Sequence, residues 1–276
     1  MSTFPASSTM RIIRWRDGRR SEPTDSLAVE EPLEIRLGYR DQRKGRTHRS
    51  VAITMRTPGD DAALALGFLY SENIIGSTDA VRSLEQPTDN VVRIELHDDA
   101  SFDPLRLERN FYVTSSCGVC GKSSLESLSN AGFTALHDSG FRISLQVLQR
   151  TLSQLADRQP LFRLTGGNHA TALFDSDGAL KRVTEDVGRH NAMDKLVGHC
   201  LQERLLPLDH HGILVSGRAS FELMQKALAA RCPLLAAVGA PSSLAVELAQ
   251  EYNLTLVGFL GDNGCNIYSG GFRIDD

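Results

Sequence analysis

The chain has 276 residues, 41% of them apolar, enough for one large domain or two modest ones with a packed core. Its formal net charge of -4 argues against a dedicated nucleic-acid binder, which is basic as a domain. No apolar run has the length of a membrane span and MSTFPASSTMRIIRW lacks the apolar core of a secretion signal, so the expectation is a cytoplasmic protein whose five cysteines stay as thiols.

Residues 1–28 are polar and arginine-rich, and are interrupted by Pro5 and Pro23. They predict a flexible lead that frays or forms one peripheral strand. From Pro32, PLEIRLGY and SVAITMRT alternate in the manner of strands, and the basic stretch between Arg36 and Arg49 reads as a solvated hairpin turn. Pro58-Gly59-Asp60-Asp61 opens a helix over AALALGFLYSENII, with Asp60 or Asp61 as N-cap and Gly76 as stop. NVVRIELH adds a strand, giving a small α+β domain over residues 29–108, with a boundary in the polar, proline-broken DASFDPLRLERN.

The larger domain, residues 109–276, begins with TSSCGVCGKSS, where Cys117 and Cys120 stand two residues apart before a helix-like LESL. Such a pair can chelate a metal, close a disulfide or carry sulfur. A structural zinc site needs four ligands, and Cys200, Cys232 and Cys265 are scattered singly, so no structural metal is expected. A zinc deaminase needs H-x-E followed by P-C-x-x-C; here His169-Ala170-Thr171 follows the cysteines and has threonine in place of glutamate. A cysteine ahead of a helix meets unpaired N–H groups that favour thiolate, so the redox or nucleophilic reading fits better. The bland alternative is two inert thiols in a loop.

Further along, RLTGGNHATALF places His169 at the start of a strand or helix, and RVTEDVGRHNAMDKLVG runs into a helix with Asp186 near its N-cap. Arg189, His190, Asp194 and Lys195 lie at helical spacings, and His190 can pair with Asp194 one turn away. His190 is a candidate for the binding site, against a salt-bridged surface helix as the plain reading. GILVSG, PLLAAVG and LTLVGFLG are continuous apolar strands alternating with the helices ASFELMQKALAA and SSLAVELAQEY, which implies an α/β domain with a largely parallel sheet covered on both faces. Ligands of such sheets bind beyond the carboxyl ends of the strands. Three ends are glycine- and serine-rich: Ser216-Gly217-Arg218, Gly239 to Ser243, and Phe259-Leu260-Gly261-Asp262-Asn263-Gly264. Glycine allows close backbone approach, serine donates and Arg218 can pair with phosphate, so a phosphorylated or nucleotide-bearing ligand is expected there, against plain tight turns. Neither a P-loop nor G-x-G-x-x-G is present.

ALGFLYSENII, CGVCG, TGGNHATA, EDVGRHNAMDKLVG, LVSGRASFELMQK and NLTLVGF occur in the order and spacing of the formate dehydrogenase accessory sulfurtransferase family, FdhD, which the chain resembles from about Glu31 to Tyr268. The resemblance implies a cytoplasmic homodimer that takes sulfur from a cysteine desulfurase and passes it to the molybdenum bis(molybdopterin guanine dinucleotide) cofactor needed by the formate dehydrogenase apoenzyme. It also implies a cytidine-deaminase-like larger domain. By motif, Cys117 matches the persulfide-bearing cysteine, Cys120 its partner, and Phe259 to Gly264 the cofactor-binding stretch. The stretch FLGDNGCN departs from relatives in carrying Asp262 and no lysine or arginine. Two other functions compete with sulfur transfer: a chaperone that binds the cofactor without covalent chemistry, and a thiol-disulfide oxidoreductase.

Overall fold

The computed structural model describes residues 5–41, 45–100, 125, 128–130 and 132–276. Cys117 and Cys120 lie outside the described residues, as does most of the expected domain boundary.

Residues 7–28, read from sequence as a flexible lead, form four short strands. β1 (Ser7–Arg11) pairs antiparallel with β4 (Thr24–Ala28), and β2 (Arg14–Arg16) with β3 (Arg19–Ser21). The inner hairpin turns on Asp17 and Gly18, at φ 51° and 72°. An Asp-Gly pair with two positive φ angles matches the twist of the flanking strands, a signal that the arginine-rich composition obscures.

A four-stranded sheet follows, in the order β6-β5-β8-β7. It comprises β5 (Glu31–Asp41), β6 (Gly45–Arg56), β7 (Val81–Thr88) and β8 (Val91–Leu96). Leu33, Ile35 and Leu37 alternate along β5, and Val92, Ile94 and Leu96 along β8, so both strands bury one face against Leu64 and Leu69 of α1 (Asp61–Ser71). The basic hairpin is held by a surface network in which Arg46 meets Glu95 and Asp98, and His48 meets Glu95. Asp60 does occupy the N-cap position of α1, but with φ 55° and no capping hydrogen bond; its carboxylate lies 3.4 Å from His199. Asp61 instead turns inward to a buried ion pair with Arg56 at 2.8 Å. The helix ends at Ser71, short of Gly76.

The second sheet has six strands, in the order β11-β10-β12-β13-β14-β15. These are β10 (His169–Phe174), β11 (Leu180–Asp186), β12 (Gly212–Val215), β13 (Leu234–Ala237), β14 (Thr255–Gly261) and β15 (Gly264–Ser269). It is mixed rather than largely parallel: β12, β13 and β14 run parallel, while β10 is antiparallel to both β11 and β12, and β15 to β14. Both faces are covered, as continuous apolar strands require. One face, with Ile213, Val215, Leu235, Ala237 and Leu256, receives α4 (Arg189–Gln202), α5 (Phe221–Ala229) and α6 (Ser243–Glu251). The other, with Leu214, Leu234, Ala236 and Val257, receives α2 (Leu145–Asp157), which α3 (Pro160–Thr165) follows. A two-stranded parallel pair, β9 (Ile143–Ser144) with β16 (Ile274–Asp275), completes the architecture.

Helices α1 and α4 join the two sheets, crossing through glycines. A Cβ on Gly67 would stand 1.9 Å from the Asp194 carbonyl oxygen, and one on Gly198 1.8 Å from that of Ala63, so here backbone packs on backbone.

Candidate functional site

Because β12, β13 and β14 are parallel, the loops that follow them emerge at one edge of the sheet. Hydrogen bonds sew these loops together: Gly239 N donates to Gly217 O at 3.0 Å, Phe259 N to Gly239 O at 3.2 Å, and Ser242 N to Ala219 O at 3.0 Å. Gly217 and Gly239 serve this close packing directly. A Cβ would lie 3.2 Å from His169 Nδ1 in the first case and 3.0 Å from Arg218 Cγ in the second. Ser242 caps α6, its side chain accepting from Ala245 N. Ser216 Oγ accepts from Ala170 N at 2.8 Å. Glycine and serine therefore build the edge here, the plain role weighed from sequence.

The antiparallel strands bring further groups to the same edge. β10 starts there with His169, which pairs in register with Asp186 at the end of β11, and the chain then turns into α4 with Arg189 and His190. His190 does not pair with Asp194. Its Nε2 lies 3.3 Å from Ser220 Oγ and 3.8 Å from the Glu222 carboxylate, while Asp194 points away into the interior. Burial, then the positive charges of Arg189 and Lys226, push the His190 pKa down to about 4, leaving a neutral ring at pH 7. Burial and then Arg189 also lower that of His169.

Arg189 is a residue whose importance the sequence did not signal. Its Nε is buried without a hydrogen-bond partner among the described residues, and neither it nor the exposed Arg218 forms an ion pair among them. A buried N–H of a cation left so is costly unless something fills it, so this edge is suited to an anion. The 259–264 stretch lies on the far side of the same edge. Phe259 has φ 52° and is 52% exposed between the buried Gly258 and Leu260, a strained backbone for an aromatic residue. Gln149 Nε2 holds the following turn by donating to Gly261 O and Asp262 O at 3.0 and 2.9 Å, and Gly261 has open space where a side chain would be.

Beneath the edge, α4 is pinned by interior ions rather than exposed as a salt-bridged surface. Asp186, fully buried, pairs with Lys195 at 2.7 Å and accepts from Thr57 N, Gly188 N and Asn191 Nδ2. Asp194 accepts from Lys226 Nζ at 2.7 and 3.0 Å, and Glu72 stands 3.9 Å from the same ammonium. Burial pushes the Asp194 and Glu72 carboxyls up, with Lys226 opposing. Thus four residues of the EDVGRHNAMDK block hold the helix, while Arg189 and His190 face the edge.

Of the other cysteines, Cys200 and Cys232 are buried, which pushes their pKa up to about 12, and Cys265 is half-buried with its pKa also raised. At pH 7 these are thiols, not nucleophiles. Among the described residues no three His, Cys, Asp or Glu side chains gather as metal ligands, and no helix is long and apolar enough to cross a membrane.

Comparison with known proteins places this architecture. A crystal structure described as a formate dehydrogenase accessory protein from Desulfotalea psychrophila superposes with a TM-score of 0.74 over 98% of this chain and 100% of that one, at 22% identity, and so shares the fold. Proteins named sulfur carrier protein FdhD are 47% identical in Streptomyces avermitilis (96% of this chain, 94% of the relative), 44% in Mycolicibacterium paratuberculosis (97% and 98%) and 41% in Sulfurisphaera tokodaii (94% and 96%). The family pattern matches residues 28–275, which run from the last residue of β4 through β16 and include every residue of the edge just described: the chain belongs to the FdhD/NarQ family.

Proposed function

We propose that this protein is a sulfur carrier for formate dehydrogenase maturation, acting in the cytoplasm as a homodimer. Cys117 receives sulfur from a cysteine desulfurase as a persulfide and delivers it to the molybdenum bis(molybdopterin guanine dinucleotide) cofactor. Relatives named sulfur carrier protein FdhD, matched over more than nine-tenths of the chain, support the carrier role. The observation that carries cofactor binding is the edge itself, where Arg189 and Arg218 stand without carboxylate partners among the described residues beside a glycine-lined floor. Two arginines suit phosphate, and Arg218 stands in for the basic residues that the 259–264 stretch lacks. The strand order β11-β10-β12-β13-β14, antiparallel at its start and parallel at its end, supports a deaminase-like reading of residues 109–276, with residues 29–108 as the smaller domain.

In the transfer step the Cys117 thiolate attacks the terminal sulfur of the donor persulfide. A new Sγ–S bond forms as the donor's S–S bond breaks, and the donor cysteine leaves as thiolate and takes up a proton. Cys120 either resolves the persulfide or tunes the first thiol. The test is peptide mass spectrometry after incubation with a desulfurase and free cysteine. One added, reductant-labile sulfur on the Cys117 peptide, absent from Cys117→Ala, is expected. No added sulfur, with a control acceptor loaded in the same mixture, would favour the non-covalent cofactor chaperone.

A further inference from the structure

The family pattern begins at residue 28, so all but the last residue of the ribbon formed by β1 to β4 lies ahead of it. No residue from 5 to 28 is buried, and none joins the hydrophobic cores of the two sheets. Large apolar side chains are nevertheless concentrated here: Trp15 is 68% exposed, Ile13 60% and Met10 51%, and Leu27 is open as well. Met10 and Leu27 share a face, because Met10 stands opposite Asp25 and Leu27 opposite Ser8. A two-stranded ribbon with no core of its own is marginal in water, and apolar groups held out on one are suited to covering by another molecule.

The ribbon is also basic in an acidic protein. Its five arginines outnumber Asp17, Glu22 and Asp25, a formal charge of +2, where the whole chain carries -4. Arg14 pairs with Asp25 and Arg20 with Glu22, but Arg11, Arg16 and Arg19 form no ion pair among the described residues. Arg16 and Arg19 moreover stand directly opposite each other at the tip, and Trp15 opposite Arg20 beside them. Like charges placed so destabilise a strand pair, and an acidic group arriving from outside relieves them. Tryptophan and arginine are the side chains that most often anchor protein interfaces, which take about 20–30 residues from each side. Residues 7–28, with the exposed Phe162 and Leu164 of α3, supply that number. The ribbon's place in the fold points to one occupant. β4 packs on α3, and a Cβ on Gly167 would lie 3.3 Å from that of Ala28, just before His169 opens β10 at the edge. A protein that comes to the edge to collect its cargo therefore meets the ribbon. We propose that the ribbon is a docking arm for that client, the formate dehydrogenase apoenzyme, and that it binds an acidic surface with an apolar centre. The inference rests on the maturation reading above and adds the surface by which the client is held.

Surface plasmon resonance of the full-length protein on immobilised formate dehydrogenase apoenzyme, at low and at high salt, tests it. Arg16→Glu sets opposite charges face to face at the tip, which favours the ribbon, while it cancels the ribbon's net positive charge. A merely structural ribbon would gain from that change, whereas a docking arm loses. Arg16→Glu is expected to bind the apoenzyme about tenfold more weakly at low salt and with less dependence on salt than the parent. Trp15→Ala is expected to bind about tenfold or more weakly at both. Each variant should still acquire sulfur on the Cys117 peptide at the parent's rate. Should Trp15→Ala melt early, Arg16→Glu carries the test unaided. Apoenzyme affinity unchanged in the folded variants overturns the docking arm and leaves the maturation reading standing; a parent that does not bind the apoenzyme overturns both. Three other results reassign the ribbon and overturn the proposal: slower sulfur loading in the variants gives it to the donor, loss of self-association in sedimentation gives it to a second copy, and loss of binding to phosphatidylglycerol vesicles with apoenzyme binding intact gives it to a membrane.

Discussion

Replacing Gly67 by alanine sets two effects of opposite sign against each other. In the interior of a helix alanine is better than glycine by about 1 kcal/mol, so α1 taken by itself would be stabilised. In the protein, the added Cβ would lie 1.9 Å from the Asp194 carbonyl oxygen and 2.8 Å from Gly198 N, where real contacts do not fall below 3.0 Å. Both neighbours are backbone, so no rotamer change relieves the clash and α1 must move off α4 by roughly 1 Å. Overpacking of this kind costs about 1–3 kcal/mol, and its upper end applies where backbone meets backbone. The net expectation is a loss of about 2 kcal/mol, read as a fall of roughly 4–6 °C in Tm. Guanidinium titration followed by circular dichroism measures it, with Gly76→Ala as control, since nothing lies within 4 Å of a Cβ there and the change should stay within about 0.5 kcal/mol. The displacement also reaches the ion pairs of Asp194 and Lys195, so the turn carrying Arg189 and His190 shifts with it. A Gly67→Ala protein more stable than the parent would refute the backbone contact and, with it, the account of how the two sheets are joined.

Three further outcomes follow from the same interior. Lys226→Met leaves Asp194 buried beside Glu72 without an ammonium, which should cost about 3–5 kcal/mol, whereas Lys226→Met combined with Asp194→Leu should recover most of that loss in urea titrations; equal losses in the single and double variants would mean that the pair is not charged inside the fold. With a folded-state pKa of about 4 against about 6.5 when unfolded, His190 contributes fully above the unfolded value and loses that contribution as pH falls toward 4, because the unfolded ring takes up its proton first. His190→Gln should therefore flatten the stability profile between those limits, modestly because 38% of the side chain is exposed, and against a background of the same sign from His169 and His211; an identical slope in parent and variant contradicts it. Iodoacetamide at pH 7 should leave Cys200 and Cys232 unmodified in the native protein, and labelling of either at the rate of a free exposed thiol would show that the helices around them open readily.

What could be read from the sequence, and what could not, divides along the range of the interactions. The three parallel strands and the helices after them were legible because each carries its own signal: GILV, LLAA and TLVGFLG are apolar on both faces, and Ala245, Leu248, Ala249 and Tyr252 recur at helical spacing and are all buried. β7 was missed because VRSLEQPT hardly alternates and holds Pro87, which an edge strand tolerates and a central one would not. The mixed character of the second sheet was hidden too, since HATALF pairs with LKRVTED and with GILV in registers that no local pattern announces.

Helix α4 makes the point most sharply. Its charges at three- and four-residue spacings look like an exposed, self-paired face, and on that view His190 and Asp194 belong together. In the fold Asp194 takes its partner from α5, 32 positions along the chain, and Lys195 closes on Asp186 at the end of β11. Burying those charges is tolerable only because the partners arrive from elements placed by the sheet, and α1 can sit close enough to seal them because Gly67 and Gly198 carry no side chain. Once Asp194 and Lys195 are spoken for inside, the first turn is left to present Arg189 and His190 outward with no acidic partner from their own helix. The unfilled Arg189 Nε is thus a product of long-range pairing: the interactions that hide most of the helix's charge are those that leave this guanidinium without an ion-pair partner among the described residues.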